Sequence, residues 1–217
     1  MDIVKEFKRW TIYLLGMCVL AAGISLNTKT GLGVSPIIAP AFCVSEIFGL
    51  SFGDMTFFLY AIFVVVQLFL VERGQRVSVL LQLAVSLVFS RALNLFGLVI
   101  AYDHTLHGLP ENLAVLALAI FLTGTGAALT INMQLYPNPA DGVVQTVSQK
   151  KGWPQGLSKN AFDGCCVAAA ALIGVAFARR IVGIGLGTLL SMVCVGRVIA
   201  LINALFQEKL LAAAGQR

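Results

Sequence analysis

Charge is what this chain has least of: Asp, Glu, Lys and Arg supply 12% of its 217 residues, and only 10 of those residues are acids. A soluble domain draws about a quarter of its residues from these types, so a water-facing surface of ordinary size is excluded. Proline is limited to 6 positions and tryptophan to 2; long helices are left unbroken, and each proline becomes a landmark. The 5 cysteines, Cys18, Cys43, Cys165, Cys166 and Cys194, all lie in apolar segments without metal-ligand spacing, which reads as inert packing. With 2 histidines, His104 and His107, and no third ligand near them, no metal site is expected. No nucleophile, base and orienting group occur together, so the chain is not expected to be an enzyme and no cofactor is implied. The glycine-rich run 183–188 follows no strand and lacks the Lys-Ser or Lys-Thr of a phosphate loop, so it reads as close helix packing.

What is abundant is apolar: 59% of residues, with a mean hydropathy of +0.91. The chain reads as an all-α integral membrane protein whose first partner is the lipid bilayer. The net charge of +5 comes from Lys and Arg set in ones and twos beside apolar runs, as at membrane borders. No basic stripe forms, so nucleic acid is excluded as a partner. A crossing takes about 20 residues, and the runs 11–27, 55–71, 77–101, 112–133, 157–177 and 182–206 supply about six transmembrane helices. The first run follows Lys5, Lys8 and Arg9 like a secretory signal, but no small-x-small cleavage site ends it, and it reads as a retained helix.

Two polar interruptions remain. One is Leu135-Tyr136-Pro137-Asn138-Pro139-Ala140-Asp141-Gly142; the other is Gly31-Leu32-Gly33-Val34-Ser35-Pro36, 103 residues earlier. Gly126 and Gly23, Ser148 and Ser45, Gly152 and Gly49, and Gly156 and Gly53 keep the same offset. The chain therefore reads as a duplication, with a first repeat at 1–106 and a second at 107–217, each a span, a half-helix and two spans. Segments 35–50 and 138–150 are too short or too polar to cross comfortably. Each opens on Pro after a Ser or Asn cap, which suits half-helices that enter the bilayer and return. With both re-entrant, one side collects nine Lys or Arg (5, 8, 9, 73, 76, 150, 151, 209, 217) against Lys29, Arg179 and Arg180 opposite. If both spanned instead, the balance would fall to seven against five. The positive-inside rule thus favours six spans plus two half-helices, an inverted repeat with the N- and C-termini both cytoplasmic.

Inversion would bring two positive helix ends together near the midplane, where they attract an anion or an oriented dipolar solute. The expected substrate-binding residues are Ser35, Pro36, Asn138, Pro139, Asp141 and Gly142. Asp141 is the sharpest, because intramembrane acids are costly unless they work; its repeat counterpart is the apolar Ile38. Lys159 and Asp163, four apart on one helical face, read as a relay or as a pair that lowers the cost of burial. Arg91 and Arg197, 106 residues apart, join them as relay or pairing candidates or as helix anchors at the membrane border. Glu46, Asp54, Gln67, Gln82 and Gln145 are weaker candidates that read as solvated helix ends or interhelical hydrogen-bond partners.

The breaks at 31–36 and 139–142, Lys159-Asn160 with Asp163, and Gly183 to Thr188 followed by Gly196-Arg197 resemble the YczE/YyaS/YitT group of bacterial multi-pass membrane proteins, and within it the YczE-like branch. The resemblance implies a small protein of the bacterial cytoplasmic (inner) membrane with no enzymatic assignment and no binding residues to carry over. The expected function is a secondary transporter or channel-like permease for a small polar or anionic solute, associating as a homodimer or otherwise. A non-transporting scaffold or regulator, and a substrate-binding subunit of an energy-coupled importer, are the alternatives.

Overall fold

A computed structural model of the chain describes residues 3–215, and eight α-helices make up nearly all of it. They are α1 (Ile3–Lys29), α2 (Ala39–Phe48, led by the 3-10 turn Pro36–Ile38), α3 (Phe52–Leu70), α4 (Arg76–Val99), α5 (Leu109–Met133), α6 (Pro139–Lys151), α7 (Gln155–Ile173, running on into a π turn at Gly174–Ala178) and α8 (Leu186–Ala213). Six of these, all but α2 and α6, belong to segments long and apolar enough to cross a membrane. The six apolar runs fall on them. α1 starts earlier than its run, at Ile3 rather than at residue 11. Its polar first turns are held because Arg9 donates to the carbonyls of Met133 (2.7 Å) and Gln134 (2.8 Å) at the end of α5.

The two leftover segments are the short helices α2 and α6, and they begin and end alike. Proline starts each, where a missing N–H costs nothing. Each ends on a glycine in the left-handed region, Gly49 at φ 63° and Gly152 at φ 66°, whose N–H returns to the carbonyl of Ser45 or Ser148.

Segment 30–51 starts and finishes at one end of the bundle. Gly31 sits against the His104 ring just beyond α4, and Ser51 donates to Asn94 near the end of α4 (2.7 Å). Phe48 meets Phe177 in the π turn that ends α7. α2 therefore lies parallel to α7, with Cys43 donating to the Ala170 carbonyl one turn and a half earlier. α6 lies along α3 in the same sense, so each short helix packs on a long helix from the other half of the chain.

α1 and α5 form the central crossing. Their glycines allow backbone contact: a Cβ on Gly23 would stand 2.5 Å from the Thr123 nitrogen, and one on Gly126 would strike the Leu20 nitrogen. These two contacts exchange under the 103-residue offset, since 20 maps to 123 and 23 to 126. The helices run antiparallel, because Gly16 meets Gly126, Leu129 and Thr130 while Gly23 meets Thr123 and Ala119.

Candidate functional site

The second polar break folds into a cap. The chain leaves the left-handed residue Gln134 (φ 47°) and turns inward through 135–138. Asn138 then starts α6, its Oδ1 accepting from the Ala140 N–H (3.0 Å) and its Nδ2 donating to the Tyr60 hydroxyl (2.9 Å). Tyr60 stands midway along α3, fully buried and stacked on Phe89 of α4 at 6.0 Å. The start of α6 is thereby fixed at mid-depth in the bundle.

The next contact along α3 is polar as well. Gln67 Nε2 donates to the Pro139 carbonyl (2.9 Å) and to Gln82 Oε1 (3.0 Å), and Gln82 Nε2 returns a bond to Gln67 Oε1 (3.3 Å). Gly142 lets this amide approach, since a Cβ there would lie 2.5 Å from Gln67 Oε1. Pro139 and Gly142 are both buried in this contact.

Asp141 is half-buried in the first turn of α6, and its carboxylate makes no side-chain hydrogen bond or ion pair among the described residues. It lies within electrostatic reach of Lys159 and Asp163 on α7, and of the Tyr60 hydroxyl. Lys159 Nζ is 3.5 Å from Asp163 Oδ1, with the acid side chain 3% exposed and the lysine 42% exposed. Two carboxylates and one ammonium thus lie within electrostatic reach of one another beside the positive end of α6, a setting in which a cationic group, a proton or an oriented dipole finds partners.

The first polar break is held differently. Val34 N–H donates to the Gly183 carbonyl (2.9 Å) and Gly187 N–H to the Leu32 carbonyl (2.7 Å), clipping it to the loop before α8. Gly33, at φ 103°, has Gly185 packed where a Cβ would stand. Ser35 is half-buried and caps nothing with its side chain, and Pro36 is buried where the 3-10 turn meets α7. No hydrogen bond joins Ser35 to the Asn138 cluster among the described residues. Arg91 lies outside that cluster too: it pairs with Asp54 at 2.8 Å, next to Asn94, whose Oδ1 accepts from Ser51 Oγ and from the Gly53 N–H (2.8 Å). Arg197 is exposed on α8, with no ion pair or hydrogen bond from its side chain among the described residues. A separate cavity of about 520 Å³, walled by Ser25, Lys29, Ser45, Glu46, Asp54 and Asn94 among others, opens beside α2 at the end of the bundle where α4 finishes.

Tyr60 is the residue that sequence reasoning passed over. An aromatic in an apolar run reads as packing, yet the 103-residue offset pairs it with Asp163, and that was the available signal. No group of three or more His, Cys, Asp or Glu is placed to hold a metal ion among the described residues.

Comparison with known proteins agrees with a membrane assignment. The chain is 26% identical over 192 residues to the Uncharacterized membrane protein YczE of Bacillus subtilis, covering 88% of this chain and 83% of that protein. It is also 26% identical over 190 residues to the Uncharacterized protein YyaS of the same organism, covering 87% and 88%. No solved structure matches. Residues 7–204 match a family of unknown function, DUF6198, and this multi-pass membrane chain belongs to that family.

Proposed function

We propose that this protein is a small secondary transporter or channel-like permease of the bacterial inner membrane, carrying a small polar or zwitterionic solute past the start of α6. The observation that carries the reading is the Asp141 carboxylate, held without a direct partner at mid-depth beside Lys159 and Asp163. An acid at membrane depth that no packing partner explains points to function by default. Two further observations support an inverted repeat around it. The α1–α5 crossing is antiparallel and its contacts exchange under the repeat offset, as a two-fold axis across the helices requires. Each short helix lies on a long helix of the opposite half, and eight of the eleven described Lys and Arg outside the apolar runs belong to the side assigned to the cytoplasm.

The contacts of Asn138 and Gly142 favour a second reading, a scaffold whose polar residues only join helices, because their groups are committed to Tyr60 and Gln67. One experiment separates the two. Purified protein in liposomes is screened with radiolabelled anionic, zwitterionic and neutral solutes, and Asp141→Asn is compared with wild type. Loss of flux at unchanged thermal stability supports transport. A lowered melting temperature with no solute moved by wild type supports the scaffold.

A further inference from the structure

The two halves differ most in the seam between their last two helices. In the first half, α3 and α4 pack along their whole length through a row of specific pairs: Ser51 and Gly53 on Asn94, Asp54 on Arg91, Tyr60 stacked on Phe89, and Gln67 exchanging hydrogen bonds with Gln82. Gly53 is pressed against the Ser90 carbonyl and Asn94, so no larger residue fits there.

Applying the offset of 103 to α3 and of 106 to α4, as Arg91 and Arg197 require, gives the matching positions on α7 and α8. Gly53 becomes Gly156, Ser90 becomes Gly196, Asn94 becomes Ala200, Asp54 becomes Leu157 and Gln67 becomes Ala170. Arginine is kept at Arg197 and Gln82 becomes Thr188, but every polar latch of the first seam loses at least one of its partners to a small or apolar residue. α7 and α8 have no packed seam between them, although α8 is well packed on α5. A Cβ at Gly156 or at Gly196 would meet nothing within 4 Å, and Ala200 is exposed. Gly196, Ala200 and Ala204 repeat at every fourth position on that open face, the spacing that lets membrane helices approach backbone to backbone. The face of α7 that corresponds to the packed face of α3 carries Gly156, Lys159 and Asp163.

We infer that the α7–α8 seam is the moving part of the chain, closing through Gly156 against Gly196 and Ala200 and opening to leave the Lys159 side chain half-exposed, as it stands here, while α3 and α4 remain latched as the fixed half. The small residues make closure possible; the absent latches make it reversible. The inference rests on the transporter reading, but its test needs no solute.

In a background with the native cysteines replaced, Gly156→Cys with Ala200→Cys is oxidised in membranes by copper phenanthroline, with a protease site placed in the 179–185 loop. A disulfide needs Cβ atoms about 3.5–4.5 Å apart, and the open position at Gly156 does not offer that, so a bond reports closure. The expected result is that most chains keep their two fragments joined after cleavage, until reductant is added. Ser51→Cys with Asn94→Cys, read with a protease site in the 71–75 loop, is the reference pair and should join completely. Overturning results are a Gly156–Ala200 pair that stays unjoined where the reference pair joins, or one that joins only between chains, seen as a doubled mass on the gel. A seam that closes in a protein for which no flux is found would leave the inference standing and remove the transport reading.

Discussion

Whether a glycine here is structural or incidental depends on what its missing Cβ would strike. Gly23 and Gly126 sit where α1 and α5 touch, and a methyl at either would press on backbone of the facing helix, which cannot rotate away. Gly97 on α4 faces open space. Gly23→Ala and Gly126→Ala are each expected to cost about 1–3 kcal/mol as overpacking, whereas Gly97→Ala should be neutral or gain about 0.5–1 kcal/mol from helix propensity. Thermal unfolding in detergent micelles measures all three. Equal, small effects at Gly23 and Gly97 would mean that the α1–α5 contact is not as close as described. Lys159 and Asp163 follow a related logic of unequal surroundings: the acid is buried and depends on the lysine, whose half-exposed ammonium can also turn to water.

At the scale of elements, the decisive joint is the one that holds α6 on α3. Gln67 serves both Gln82 and the Pro139 carbonyl, so it ties α4, α3 and α6 together at one amide. Gln82→Leu leaves that amide short of one partner in a buried site, a loss of about 1–3 kcal/mol. Gln67→Leu is expected to cost more, because the added bond to the Pro139 carbonyl is lost together with both bonds to Gln82, and the double variant should fall short of the sum of the two. A cycle of melting temperatures checks this, and strict additivity would deny the coupling. Much of this level was legible beforehand. Hydropathy found the six long helices, and the short, proline-led polar breaks found α2 and α6, because helix starts are local chemistry. Lys159 with Asp163 followed from helical spacing. The partners were not legible, since they come from distant parts of the chain. Arg9 reads as a membrane-border charge until α5 ends beside it, Tyr60 reads as packing until Asn138 arrives, and Arg91 meets Asp54 rather than the site. The difference between the two seams was equally hidden, because Gly156 and Gly53 look alike in sequence.

For the molecule as a whole, the question is whether α2 and α6 cross the bilayer or return. The 30–35 break touches His104 and Gly183, and the 49–51 turn touches Asn94, so the chain goes in and comes out at a single end of the bundle. The 134–138 break sits by Arg9 and Tyr13 of α1, at the opposite end. A crossing of the hydrocarbon core takes about 30 Å, whereas ten residues in α2 at about 1.5 Å per residue reach roughly half of that. Single cysteines placed at the exposed positions Leu50, Thr105, Gly74 and Trp153 in a cysteine-free background turn this into a measurement. With a membrane-impermeant maleimide, Leu50 and Thr105 should label from one face of sealed vesicles, and Gly74 and Trp153 from the other. The orientation proposed from the positive-inside balance puts the Gly74 face in the cytoplasm, and its expected outcome is that inside-out vesicles label Gly74 and right-side-out vesicles do not. Labelling of Leu50 from the Gly74 face would turn α2 into a full crossing, send α3 through the membrane in the other sense and overturn the inverted repeat on which the proposed role of Asp141 rests.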